Sequence, residues 1–185
     1  MDNLFKGFLK GILQTSNLPS SRWVEWKHIP MGLTHCDNCL VLDGCWFQEA
    51  NKPTIPQHNR CHCITEPISS STVLDKAESK SDYSKYDPYL FDPDNYYKHG
   101  KNKMFESWGY TIADSAQLQK EIEDQALENY ISGNYTLGKL NENGQRITIP
   151  IELNRKDGSG TVSFHTGWMV LKNGVIKLNT PYGGK

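Results

Sequence analysis

Arg146-Ile147-Thr148-Ile149-Pro150-Ile151-Glu152-Leu153 changes side-chain character at almost every step. Ile147, Ile149, Ile151 and Leu153 fall on one side and Arg146, Thr148 and Glu152 on the other. This period of two marks a strand with one buried and one open face. Pro150 has no backbone N–H for a ladder, so the flank its nitrogen faces is expected to be a sheet edge or a bulge.

Working outward, Asp157-Gly158-Ser159-Gly160 reads as a hairpin turn and Thr161 to Leu171 as a long strand. Lys172-Asn173-Gly174 carries the Asn-Gly signature of a tight turn, and Val175 to Thr180 is the last strand. Upstream, Asn134 to Leu140 is a first strand, closed by Asn141-Glu142-Asn143-Gly144. Helices come before it. Leu118, Ile122, Ala126 and Tyr130 recur every fourth residue, after Asp114 as N-cap with Gln117 in the capping-box place, and Gly133 suits the C-terminal cap. Lys101 to Trp108 is a shorter helix with Met104, Phe105 and Trp108 on one side. The expected class is α+β: over 98–185, helices pack on an antiparallel sheet of about four strands.

Residues 69–97 have a different composition. Ser69-Ser70-Ser71-Thr72 and Lys76 to Asp82 are polar and predict a linker, disordered in part. Tyr83 to Tyr97, with two Asp-Pro steps, predicts an aromatic strap laid on the following domain. Residues 1–68 then form a small N-terminal lobe. In it, Leu4 to Leu13 reads as a short amphipathic helix and Arg22 to Ile29 as a strand.

That lobe holds all five cysteines: Cys36-x-x-Cys39, Cys45, and His58-x-x-Cys61-x-Cys63. A Cys-x-x-Cys pair and a His/Cys cluster offer the soft donors that close a tetrahedron around zinc. The candidate ligands are Cys36, Cys39, His58, Cys61 and Cys63, either as four sulfurs or with His58 among them. Cys45, beside Trp46 and Phe47, is the spare. An odd count leaves one thiol over in any scheme of disulfides, and the N-terminus shows no secretory signal. A lobe this small would take much of its folding free energy from such a structural zinc.

Formal net charge is −1, which excludes a chain that traps nucleic acid by overall charge. The charge is uneven: residues 69–139 sum to −4 and residues 140–185 to +3. No run approaches the roughly 18 apolar residues of a membrane-spanning helix. On the polar side of the sheet region, His165 sits beside Thr166 and near Arg146, Thr180 and Tyr182. A histidine with a nearby cation and hydroxyls has the groups that metal-independent RNA cleavage requires: proton transfer at the 2′-hydroxyl and the leaving oxygen, and charge stabilisation at phosphorus. Lys101, Lys103 and Lys139 are further sources of that cation.

Two resemblances extend this reading. Residues 26–67 resemble the C-terminal end of the phage Mu F-like head-morphogenesis (minor head) proteins: Cys36-x-x-Cys39, Leu42-Asp43-Gly44, a loop from Pro53 to Pro56, and His58-x-x-Cys61-His62-Cys63. His62 stands where that pattern has arginine. The segment from Lys101 onward resembles the nuclease-like domains of phage head proteins and contact-dependent toxins, the barnase–EndoU–colicin–RelE-like group. It does so through Thr166-Gly167-Trp168-Met169 and Thr180-Pro181-Tyr182. The resemblances imply a phage or prophage protein, cytoplasmic in its bacterial host or virion-associated. Its C-terminal domain would be a ribonuclease with His165, Arg146, Thr166, Thr180 and Tyr182 as site residues. RNA would be the substrate, and an immunity protein or phage portal and capsid proteins the partners. The rival expectation is a non-catalytic minor head protein with a structural zinc.

Overall fold

The computed structural model describes residues 22–30, 36–91 and 100–181. Leu4 to Leu13, the strap beyond Phe91 and Tyr182 lie outside the described residues. The elements in chain order are β1 (Trp23–Lys27), α1 (Asp37–Leu42), β2 (Trp46–Gln48), β3 (Ile64–Ile68), α2 (Ser70–Lys76), β4 (Glu78–Lys80), α3 (Lys101–Ser107), α4 (Ser115–Ser132), β5 (Thr136–Asn141), β6 (Gly144–Asn154), β7 (Thr161–Val170) and β8 (Val175–Thr180). The α+β class and the antiparallel meander β5-β6-β7-β8 are as expected.

The open and buried faces of β6 are those its alternation predicts. Ile147, Ile149, Ile151 and Leu153 are buried, and Arg146 and Glu152 are exposed. On the buried side they meet Leu118, Ile122, Ala126 and Tyr130 of α4 and Trp168, Val170, Ile176 and Leu178 of β7 and β8. Asn173 and Gly174 both take positive φ, at 61° and 76°, so the β7–β8 hairpin turns as its Asn-Gly pair predicts.

Pro150 lies on a flank without a strand partner. β5 pairs with β6 only as far as Thr148. Beyond it, α4 satisfies the bare flank with side-chain amides. Gln125 accepts from the Glu152 N–H at 2.9 Å and donates to the Glu152 carbonyl at 2.7 Å, while Asn129 donates to the Pro150 carbonyl at 3.0 Å. Gln125 thus stands in for a strand residue, and Pro150 sits where its missing N–H leaves no gap.

Two sequence expectations need correction, and the lobe holds elements beyond the one strand read there. Residues 69–80 are ordered. Ser69 caps α2 by accepting from the Thr72 N–H at 3.2 Å, and β4 adds a fifth strand, parallel to β8. The side chains that make this stretch read as linker spend their polarity on that cap and on α4, where Ser81 donates to Glu123 and Ser79 to the Glu123 carbonyl. The capping box before α4 is Thr111–Asp114 rather than Asp114–Gln117: Asp114 turns back to accept from the Thr111 N–H at 2.8 Å and from Lys156. Residues 37–48 and 64–68 hold α1, β2 and β3, so β1 is the middle of a three-stranded sheet, β2-β1-β3.

The small sheet and the large one share one hydrophobic cluster. Tyr130, fully buried on α4, donates to the Trp46 carbonyl at 2.6 Å and meets the Trp23 ring edge-on at 5.2 Å. Gln48 donates to the Ile131 carbonyl at 3.0 Å and fills the space a Cβ at Gly133 would need. At the β7–β8 hairpin the Asn173 N–H donates to the Gly44 carbonyl at 2.9 Å. Among the described residues no helix is long and apolar enough to cross a membrane.

Candidate metal centre and open sheet face

Two groups of polar chemistry stand out on this frame. The first is the cysteine cluster. Cys36 is the residue before α1, and one turn further Cys39 is buried on the inner side of that helix. The other donors come from the loop leading into β3. There a turn closed by the Cys61 N–H donating to the His58 carbonyl at 3.1 Å, with Arg60 at φ 62°, brings His58 and Cys61 together; Cys63 stands just before the strand. The ligand atoms of Cys36, Cys39 and His58 lie within 4.8 Å of one another, as do those of Cys39, Cys61 and Cys63. Cys39 is common to both sets. The five line one hollow of about 410 Å³ with His28. The cluster can therefore hold a metal ion.

The chemistry of the donors fits. His58 Nδ1 lies 2.7 Å from the Asn59 carbonyl oxygen, which calls for a proton there and leaves the Nε2 lone pair facing Cys39 Sγ at 3.4 Å. All five thiols are free; Cys39 and Cys61 sulfurs are 3.7 Å apart, far beyond a disulfide bond. Burial pushes Cys39 well up, and the thiols of Cys63, Cys36 and Cys61 add to it. Burial also acts on Cys61, but the backbone N–H groups of Gln57 and Cys63 outweigh it and bring its thiol down to about 7. Burial raises Cys63 too, opposed by Cys39 and by the indole N–H of Trp26. That N–H has no oxygen or nitrogen partner. Cys36 is the N-cap residue of α1 and Cys39 lies in its first turn, and three more donors, His58, Cys61 and Cys63, crowd the same point. Cys45 stands apart: its Sγ donates to the Val41 and Val170 carbonyls at 3.4 and 3.7 Å, and burial pushes its thiol up to about 12.

The second group lies on the open face of the five-stranded sheet. His165 is exposed at mid-β7, opposite Pro150. Along the same face of β7 follow Gly167 and Met169 on one side and Ser163 on the other. Gly167 pairs with Thr180 of β8, and a Cβ there would come within 3.0 Å of Thr180 Cγ2, so the glycine leaves a bare floor beside the threonine. The Lys101 ammonium, at the start of α3, donates to Thr180 Oγ1 at 2.8 Å. Glu152, one diagonal step from His165, accepts from Ser163 Oγ at 3.1 Å.

Of the predicted set, the fold puts His165, Arg146 and Thr180 on this one face. Arg146 pairs with Met169, four residues from His165 and so roughly 13 Å along the strand. Thr166 points the other way. It is fully buried, donates to the Ile149 carbonyl at 3.1 Å and accepts from the Trp168 indole at 2.8 Å, so it is a core residue. Alternation along β7 separates it from His165, a signal already present in the sequence. Lys85 and Tyr89, which also border the face, went unrecognised because they sit in the stretch read as linker and strap. Among the described residues Lys103 and Lys139 make no hydrogen bond or ion pair with it.

Residues 75–185, more than half of the chain, match the family model described as a domain of unknown function, DUF6883. The match starts within α2 and takes in every strand of the large sheet. No curated protein and no solved structure matches the chain. By that match, the chain is a member of the DUF6883 family.

Proposed function

We propose that this chain is a phage- or prophage-associated ribonuclease whose N-terminal lobe is held by a structural zinc ion. The observation that carries the enzymatic half is the pairing on one open face of an exposed His165 with the Thr180 hydroxyl and Lys101, about 7 Å along the strand across the bare floor of Gly167. In the proposed step the 2′-oxygen of RNA attacks the adjacent phosphorus and the bond from phosphorus to the 5′-oxygen breaks. The products are a 2′,3′-cyclic phosphate and a free 5′-hydroxyl. One proton leaves the 2′-hydroxyl and one is delivered to the 5′-oxygen. His165 is one of the two transfer groups and Glu152, the nearest carboxylate on the face, the other. Lys101 and Thr180 hold the charged oxygens at phosphorus.

The metal half rests on distances. A tetrahedron with zinc–sulfur bonds of 2.3 Å and zinc–nitrogen bonds of 2.0–2.1 Å has sulfur–sulfur edges of about 3.8 Å and sulfur–nitrogen edges of about 3.6 Å. Cys39–Cys61 at 3.7 Å and Cys39–His58 at 3.4 Å agree with it. Cys36 stands with Cys39 and His58 in one ligand group and Cys63 with Cys39 and Cys61 in the other, so Cys39 is common to either set. Zinc would supply no chemistry to the sheet face; it would hold α1 to the loop before β3.

Purified protein incubated with total RNA, wild type beside His165→Ala, tests the enzymatic half. Cleavage that disappears in the variant, with an unchanged circular dichroism spectrum, supports it; equal cleavage by both removes His165 from the mechanism. The second reading, a non-catalytic minor head protein, is favoured by the metal cluster alone. It predicts no RNA turnover and co-purification with a portal or capsid protein.

A further inference from the structure

Three cations gather at the end of β8, at two consecutive residues. Lys85 donates to the Asn179 backbone carbonyl at 3.2 Å. Lys101 donates to Thr180 Oγ1 at 2.8 Å. Arg146 reaches Asn179 from the far side of β7: with the Asn179 amide turned oxygen-first toward it, that oxygen accepts from Arg146 Nη2 and from Nε at 3.3 Å. To do so the Arg146 side chain reaches across β7 from its place opposite Met169. The two ammonium groups also share one ring, lying 5.4 Å (Lys101) and 5.8 Å (Lys85) from the Tyr89 centroid. Elsewhere on this face lysines are matched to carboxylates, Lys80 to Glu78 and Lys177 to Asp82. Among the described residues neither Lys85 nor Arg146 has a carboxylate partner.

Lys85 and Arg146, drawn to one residue by neutral oxygens, repel each other unless an anion joins them. The neutral partners fix where the charges point without neutralising them. A phosphate oxygen is the acceptor that suits a guanidinium fork flanked by ammonium groups.

We infer that Lys85, Arg146 and Asn179 form a phosphate-binding subsite for single-stranded RNA, next to the phosphate on which His165, Thr180 and Lys101 act. The inference rests on the reading of this face as the RNA-cleaving surface and assigns the strand a direction on it. Along β7 the positions His165, Gly167 and Met169 are spaced by roughly 7 Å, two residues of strand. The first carries the proton-transfer group, the second faces Thr180 and Lys101, and the third faces Arg146. This stride lets one phosphate sit between His165 and the Lys101–Thr180 pair and the next lie toward Arg146. RNA would therefore run along β7, its reacting phosphate near His165 and its neighbours toward Arg146 and Lys85. Arg146 then acts on substrate binding rather than on the reacting phosphorus.

The test uses the full chain and a fluorescent 2′-O-methyl oligonucleotide, which binds but has no 2′-hydroxyl to react. Its affinity is measured by anisotropy at several salt concentrations. Lys85→Gln and Arg146→Gln should each weaken binding at least tenfold and flatten the dependence on salt by about one phosphate contact. Lys85→Arg, which keeps the charge, should stay within about threefold of wild type. Lys120→Gln, which removes a lysine from the helix on the opposite side of the sheet, should bind as wild type does. Losses at Lys85 and Arg146 no larger than that at Lys120, or no binding by wild type, would overturn the subsite. Binding that depends on Lys85 and Arg146, in a protein that cuts no RNA, would support the subsite and sink the ribonuclease reading instead.

Discussion

Lys101 donates to the Thr180 hydroxyl at 2.8 Å, which ties the first turn of α3 to the last residue of β8. The two are 79 residues apart in sequence, and their contact stands beside Gly167 on the face that carries His165. Thr180→Val keeps the shape and removes the acceptor and the hydroxyl. If the pair steadies charge at phosphorus, this variant and Lys101→Gln should each lower kcat for RNA cleavage by 10²–10³, in line with loss of one donor to a developing oxyanion. Single-turnover kinetics would check it. A loss confined to KM would place the pair in binding alone.

The metal prediction separates Cys45 from the cluster. Elemental analysis should find about one zinc per chain in wild type and in Cys45→Ala, and none in Cys39→Ser, because Cys39 belongs to both ligand groups. Chelation should release protection from hydrogen exchange first over residues 36–63. A Cys39→Ser variant that keeps a full equivalent of zinc would end this assignment. Acid should also release the ion, since thiolates and a neutral imidazole are needed to hold it.

Tyr130 joins the two sheets. Tyr130→Phe leaves the buried Trp46 carbonyl without its donor, at a cost of about 1–3 kcal/mol. Because the lobe and the large sheet share one hydrophobic cluster, unfolding in urea should give the same midpoint by tryptophan fluorescence and by far-ultraviolet circular dichroism, in wild type and variant alike. Two separated transitions would show that the lobe unfolds on its own.

Asp114 predicts a pH effect. The Lys156 ammonium beside it, at 2.7 Å, holds its carboxyl below the ordinary carboxylate value of 3.8; burial opposes this, and the Thr111 N–H and hydroxyl add to the lowering. A carboxyl depressed in the folded state contributes stability that is fully present above its unfolded value and is lost as pH falls through the folded one. Asp114→Asn should therefore cost about 1 kcal/mol near neutral pH, the size of a helix-cap deletion. The gap between variant and wild type should narrow below pH 4, as thermal melts across that range would show. An equal gap at pH 3 and pH 7 would mean the charge plays no part.

The bare flank of β6 gives a last prediction. Gln125→Ala removes both contacts to Glu152 and exposes an N–H and a carbonyl on a strand edge. It should destabilise the chain by about 1–2 kcal/mol and promote self-association visible by light scattering. A variant as stable and as monodisperse as wild type would show that water replaces the amide without loss.

The sequence alone determined the meander and its two faces. Residue alternation in β6, the turn residues at 157–160 and 172–174, and the four-residue recurrence in α4 act over a few neighbours, and Pro150 announced its own edge. The cysteine–histidine cluster that can hold a metal ion was legible because its spacing and donor type are local too. What only the tertiary structure decided came from partners far away in the chain. Ser70 to Lys80 has a linker's composition, yet it becomes helix and strand because α4 and β8 supply its hydrogen bonds. Alternation already sets His165 and Thr166 on opposite sides of β7, and pairing with β6 decides that the open side is His165's. The gathering of Lys85, Lys101 and Arg146 at Asn179 and Thr180 has no trace in local sequence, because three separate segments must pack before those charges meet.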